Sequence, residues 1–166
     1  MKQIDPNELN VDIVNLWANR WLLLTAGTLE DCNMMTVAWG SIGCMWSKPF
    51  VQIVVRPQRH TYQFTENSDT FTLCAFPPEF KDDLMTMGTL SGRDGDKLEK
   101  TGLTLRESVN VDAPAYNEAS LILECRKIYF QDFDPGGFID SSIQDNYSAG
   151  DYHRAYFGEI LTALVE

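Results

Sequence analysis

The chain has 166 residues, 44% of them apolar and 22% charged, with 13 basic against 24 acidic side chains and a formal net charge of −11. That length predicts a single domain over residues 1–166 with one buried core, and the composition excludes disordered and fibrous classes. A field of this sign repels polyanions, so no nucleic-acid partner is expected.

Residues 1–10 are polar and acidic, and the longest apolar run, Trp21 to Leu24, is far too short to cross a bilayer. The expectation is a cytoplasmic protein without a membrane partner. Apolar and β-branched segments recur at Trp21–Ala26, Met34–Trp39, Phe50–Val55, Thr70–Phe76, Leu121–Phe130 and Ala155–Val165. Glycine and proline separate them, which is the pattern of strands. Their spacing is too tight for alternating strands and helices, so a compact antiparallel barrel is predicted rather than a doubly wound sheet. Short helical patterns at Pro57–Glu66, Pro77–Met87 and Asp94–Thr101 decorate that β core. Gln131–Tyr152, with five aspartates and Gly136-Gly137, reads as a long irregular connection of the kind that forms a lid or a partner-contacting loop.

Several short stretches carry chemistry. The segment NMMTVAWGSIGCMWSKP (residues 33–49) joins a strand to Gly40 and Gly43, hydroxyls, two tryptophans and the Asn33 amide. Glycines admit close approach to a planar ring, Trp39 supplies an aromatic wall, and Asn33 both donates and accepts. The commoner meaning of such a pattern is a Trp-rich core strand that ends in a turn. In VRPQRHTYQF (55–64), Pro57 marks a strand-to-helix junction with free N–H groups. Beside Arg56, Arg59 and Thr61 that junction suits a phosphate dianion. The competing reading pairs the arginines with the abundant carboxylates. SGRDGDK (91–97) is a glycine-rich loop that presents Ser91 and Lys97 but matches no nucleotide fingerprint.

Metal chemistry finds little support. In the aspartate-rich stretch starting at Asp132 the fifth place is Gly136 and the twelfth is Ile143, which cannot act as the bidentate carboxylate of a calcium loop. Cys32, Cys44, Cys74 and Cys125 lie far apart, and His60 and His153 are the only histidines, so no metal site is predicted. His153, within GDYHRAYFGEI (150–160), is a candidate for proton transfer, although a lone histidine is more often structural.

Taken together, NMMTVAWG (33–40), WSKP (46–49), VRPQRHTY (55–62), DTFTL (69–73), SGRDGDK (91–97), LECR (123–126) and GDYHR (150–154) resemble the flavin-reductase-like, FMN-binding split-barrel family, in particular its flavoredoxin-like branch. The resemblance spans about Trp21 to Ile160. It implies a mainly β fold with peripheral short helices: a six-stranded antiparallel split barrel of Greek-key character, assembled as a homodimer with FMN in a groove at or near the interface. Carried over, Asn33, Thr36 and Trp39 would meet the isoalloxazine ring, and Arg56 and Thr61 the phosphate. Gln58 and Arg59 would add phosphate contacts, and Ser91 with Lys97 would complete the flavin site, Lys97 near the N1 and O2 edge. The implied activity is an FMN-dependent oxidoreductase that moves electrons from NADH or NADPH, as a transient reductant, to flavin or to a small-molecule or protein redox acceptor. An FMN-binding electron carrier without nicotinamide turnover is the alternative, and a barrel that has exchanged its ligand for haem is a third reading.

Overall fold

The computed structural model describes residues 1–166. All six predicted apolar segments are strands: β2 (Leu22–Gly27), β3 (Cys32–Val37), β5 (Lys48–Val55), β6 (Thr70–Ala75), β9 (Leu121–Asp132) and β10 (Arg154–Val165). Two more strands enlarge the main sheet beyond the expected six. β1 (Lys2–Ile4) pairs with β10, and β4 (Gly40–Met45) forms a hairpin with β5. A separate two-stranded ribbon joins β7 (Leu105–Arg106) to β8 (Ala115–Tyr116).

The strand order is β3-β2-β6-β9-β10-β5-β4, all antiparallel. The two ends of that order, β3 and β4, are adjacent in the chain, joined only by Ala38 and Trp39. Four consecutive Cα atoms span at most about 11 Å, so the sheet has to curl until its edges nearly meet. The edges do not hydrogen-bond to each other, which leaves a barrel with a split. Trp39 stands at that split.

Residues 40–49, whose glycines suggest close approach to a ring or a strand ending in a turn, form the hairpin β4–β5. Trp46 and Ser47 have φ of 53° and 57°, the two-residue turn whose twist suits a hairpin. A Cβ on Gly40 would collide with the Trp17 ring and the Gln52 carbonyl, so this glycine makes room for a core tryptophan. Trp17 belongs to a short unpredicted helical segment, α1 (Ile13–Asn15) continued as a wider turn over Leu16–Arg20.

Two further helices cover the barrel. α2 (His60–Asn67) starts three residues later than expected, because Pro57 sits in a turn closed by the Arg59 N–H on the Arg56 carbonyl at 3.0 Å. α3 (Lys81–Thr89) follows a single turn at Pro78–Phe80 and agrees with the expected 77–87 span. The helix expected at 94–101 is instead two isolated turns, Gly92–Asp94 and Leu98–Lys100. Gly95 between them has φ of 130°, outside helical geometry, and Asp96 caps the second turn by accepting from the Leu98 N–H. No helix is long and apolar enough to cross a membrane.

The barrel interior holds one cluster around Leu22, Leu24, Ile53, Phe71 and Tyr156, and a second lies under α3 around Leu84, Met87 and Tyr116. Gly158 faces Phe71 at a bulge in β10, where a Cβ would stand 2.5 Å from the Phe71 ring and 3.0 Å from Cys125 Cβ. Phe71 is fully buried and has no room to yield. Gly158→Ala is therefore expected to cost about 1–3 kcal/mol by overpacking. The denaturant midpoint measures this, and an unchanged midpoint contradicts it.

Candidate functional site

Strand β3, the start of α2 and the segment after α3 enclose a pocket of about 190 Å³. Its polar wall is cationic. Arg59 Nη2 donates to the Gly88 carbonyl at 2.5 Å, Arg93 Nη1 to the Gln58 carbonyl at 2.9 Å, and Lys97 Nζ to the Met87 and Leu90 carbonyls at 3.0 and 3.4 Å. A helix end leaves its last carbonyls without intrahelical partners, and here the end of α3 uses them to orient Arg59 and Lys97. Carbonyls fix these side chains without cancelling their charge. The ion pairs of the chain use other cations, namely Lys48, Arg56, Arg126 and Arg154.

The enclosure of these groups shows in their titration. Lys97 is only 4% exposed, and burial, then the Arg59 charge, pushes it down to about 8. Burial and then Arg56 lower Arg59, and burial followed by Arg93 and Lys97 lowers His60.

Below the cations lies a fixed polar floor. Thr61 gives its hydroxyl proton to the Met34 carbonyl at 3.2 Å and accepts from Asn33 Nδ2 at 2.7 Å, which sets the orientation of the amide. Gly92 rests against Asn33 Oδ1 in space that a Cβ would fill. Ser91 caps the next turn by accepting from the Arg93 N–H at 3.2 Å.

A second hollow, about 240 Å³, opens beside the barrel split and shares Met35 with the first. Thr36, Trp39, Val54, Arg56 and His153 line it. Trp39 is 48% exposed, and its ring lies 5.4 Å from that of His153. Thr36 Oγ1 donates to the Leu84 carbonyl at 2.5 Å, tying β3 to α3. His153 is buried, shares a 2.8 Å hydrogen bond between Nδ1 and the Tyr147 hydroxyl, and is pushed down to about 4 by burial and then Arg56. It is therefore a neutral imidazole at pH 7.

Arg56 has a different partner from Arg59. Its Nη1 donates to Asp151 Oδ2 at 2.5 Å, its Nη2 to the Asn146 carbonyl at 2.9 Å, and its guanidinium lies 5.1 Å above the Tyr147 ring. The Arg56 hydrogen bond holds the Asp151 carboxyl below its usual range, and Gln58 donates to the same oxygen. The aspartate-rich connection is thus docked on the barrel. Turns at Pro135–Gly137 and Ser141–Tyr147 place Phe138 and Tyr152 around Tyr147.

The candidate residues named from sequence fall into the two adjoining hollows. Asn33, Gln58, Arg59, Thr61, Ser91 and Lys97 line the cationic pocket, and Thr36, Trp39 and Arg56 join His153 in the second. Asn33 thus sits among the cations and not beside Trp39, Lys97 lies away from the hollow at Trp39, and Arg56 is committed to Asp151. Sequence reasoning passed over Arg93 and Met35. Arg93 stands inside the SGRDGDK stretch, but only the fold turns it toward Gln58. Met35 carries no chemical signal beyond its place between Asn33 and Thr36.

The family model described as "Flavin reductase like domain" matches residues 17–162. A curated relative from Archaeoglobus fulgidus, described only as an uncharacterized protein, is 31% identical over 113 residues, covering 68% of this chain and 63% of its own length. The chain thus spans less than two thirds of that relative. Among solved structures, an FMN-binding domain of a flavin reductases-like enzyme from Shewanella baltica superposes with a TM-score of 0.70 at 20% identity, over 98% of this chain and 75% of its own. Flavoredoxin from Methanosarcina acetivorans gives 0.70 at 21% identity, over 96% and 74%. These likenesses establish the split-barrel fold, and the family match over most of its length makes this chain a member of the flavin reductase-like domain family.

Proposed function

We propose that the protein binds FMN and acts as a cytoplasmic FMN-dependent oxidoreductase, taking electrons from NADH or NADPH and passing them to flavin or another small redox acceptor. The observation that carries this reading is the group Arg59, Arg93 and Lys97, unpaired with any carboxylate in a chain of net charge −11, beside a hollow walled by Met35, Thr36 and Trp39. A phosphate needs charge and several donors, and the pocket offers both. A planar ring needs apolar walls with a few polar edges, which suits the second hollow. Bound FMN would supply the redox chemistry, while the protein contributes binding, orientation and electrostatics.

Within that reading, Arg59, Arg93 and Lys97 hold the phosphate, with Thr61, Ser91 and Gln58 as polar neighbours. Thr36 and Trp39 border the ring. His153, neutral and engaged through Nδ1 by Tyr147, leaves Nε2 for a hydrogen bond to a molecule lying against Trp39. The likeness to flavoredoxin supports the alternative of an FMN electron carrier reduced by a partner protein. Protein purified without added flavin should be yellow and should bleach within the mixing time when NADH or NADPH is added without oxygen. Yellow protein that bleaches only with a redox partner would favour the carrier, and colourless protein that takes up no FMN would end both readings.

A homodimer belongs to the same proposal. Trp46 (57% exposed), Tyr129 (46%) and Phe157 form an outward aromatic cluster on β4–β5 and β9–β10, continuous along β5 with the hollow at Val54 and Arg56. A second copy on that face would cover the hollow. Sedimentation at micromolar concentration should report a dimer, and a monomer there would rule out a shared groove.

Lys97 supplies a pH dependence. A bound phosphate favours the ammonium form, so affinity for FMN is greatest between about 6 and 8 and falls as pH rises through about 8. The phosphate itself is already a dianion there, its second pKa being about 6. Affinity should drop about tenfold from pH 7 to 9, and Lys97→Met should flatten the profile while weakening binding. A pH-independent affinity in the unaltered protein contradicts the assignment of Lys97.

A further inference from the structure

His60, the first residue of α2, is half-buried and lines the cationic pocket together with Arg59, Arg93 and Lys97. Two neighbours on its own helix fix its ring. Nδ1 shares a 3.1 Å hydrogen bond with the amide nitrogen of Gln63, and the ring stands edge-on to Phe64 with 5.3 Å between centroids. The opposite edge of the ring is turned to the pocket. A Cβ on Gly92, which also lines the pocket, would stand 2.9 Å from His60 Cδ2, the ring atom next to Nε2. Nε2 has no hydrogen bond within the protein, yet it is not sealed from solvent, since the buried unpaired atoms are Trp17 Nε1 and Asp151 Oδ1.

This arrangement defines what the ring offers. An amide N–H donated to Nδ1 leaves the proton of the neutral imidazole on Nε2, so the atom turned to the pocket is a donor. Gln63 can serve the other protonation state too, because a half-turn of its amide presents Oε1 to a protonated Nδ1. Charges of both signs surround the ring. Arg59 precedes it, and Arg93 and Lys97 approach from the 91–97 segment. Glu30 and Asp31 of the β2–β3 turn and Asp96 flank its other side, and none of them forms an ion pair with it. The first turn of α2 adds partial positive charge of its own. Burial, then Arg93 and Lys97, lower the imidazole from its ordinary value against the opposing pull of Asp31, so His60 is mainly neutral at pH 7 in the free protein.

We propose that His60 is a fourth phosphate-binding residue, which donates from Nε2 to the anion and takes up a proton at Nδ1 as the anion arrives. The inference rests on the flavin reading above and deepens it. A dianion within hydrogen-bond distance offsets the repulsion from Arg93 and Lys97 and favours the imidazolium form. The proton comes from solvent, which reaches Nδ1 on the exposed side of α2, and Gln63 then accepts it through Oε1. A group whose pKa rises on binding strengthens affinity as pH falls toward its value in the free protein. His60 therefore acts on the acid side of the range in which Lys97 acts.

Calorimetry of FMN binding to flavin-free protein at pH 7, repeated in buffers of different ionisation enthalpy, counts the protons exchanged. At that pH Lys97 gains about a tenth of a proton and the phosphate loses about a tenth, so these two cancel. A net uptake of about half a proton or more per FMN is expected, falling below about 0.2 in His60→Gln, whose amide keeps a donor near the place of Nε2 but cannot be protonated. Nitrogen-15 spectra of labelled histidine give a second readout that needs no variant, because the chain has 2 histidines and burial keeps His153 neutral down to about 4. One ring should become imidazolium when FMN is added at pH 7. FMN bound with no net uptake, with uptake unchanged in His60→Gln, or with both rings still neutral overturns the role of His60 and leaves the FMN reading intact. Protein that binds no FMN overturns the reading from which the inference starts.

Discussion

The site depends on three cations kept free of carboxylates in an acidic protein. Arg59 and Lys97 are held by the carbonyls that end α3, and Arg93 by the Gln58 carbonyl, so each is oriented by a neutral acceptor and keeps its charge available. Burial lowers both Lys97 and Arg59, followed by the Arg59 charge for Lys97 and the Arg56 charge for Arg59, and a bound anion would favour the charged form of each. The position of α3 is therefore as much a part of the site as the side chains themselves. Thr36 on Leu84 and the close approach of Gly88 to Thr36 hold that helix against β3.

The barrel supplies the rest by connectivity. Because β3 and β4 end the sheet and are consecutive in the chain, the sheet must curl, and Trp39 is carried to the opening. Arg56, at the end of β5, anchors the aspartate-rich connection beside that opening through Asp151 and Tyr147. The two arginines of the RPQR stretch thus differ in surroundings: Arg56 builds a wall with Asp151 and Tyr147, and Arg59 faces the cationic pocket.

Much of this was legible in the sequence. The six apolar segments, the α3 span and the set of loops that meet at the site all follow from periodicity, breakers and the resemblance. What escaped depended on partners distant in the chain. Arg56 and Arg59 are the same residue three positions apart, and only the approach of Asp151, 95 residues away, separates their roles. Gly40–Met45 reads as a turn because glycine weakens strand signals, yet pairing with β5 and the bulk of Trp17 decide the matter. The helix expected at 94–101 failed because Gly95 breaks it and Asp96 finds a capping role instead.

The central claim is that unpaired cations, and not the ring hollow alone, determine what the protein holds. Comparing the affinities of flavin-free protein for FMN and for riboflavin, which differ only in the phosphate, tests it most directly. Charge-assisted hydrogen bonds of about 1.5–3 kcal/mol each predict that FMN binds tighter by two orders of magnitude or more. Equal affinity for the two would contradict the account.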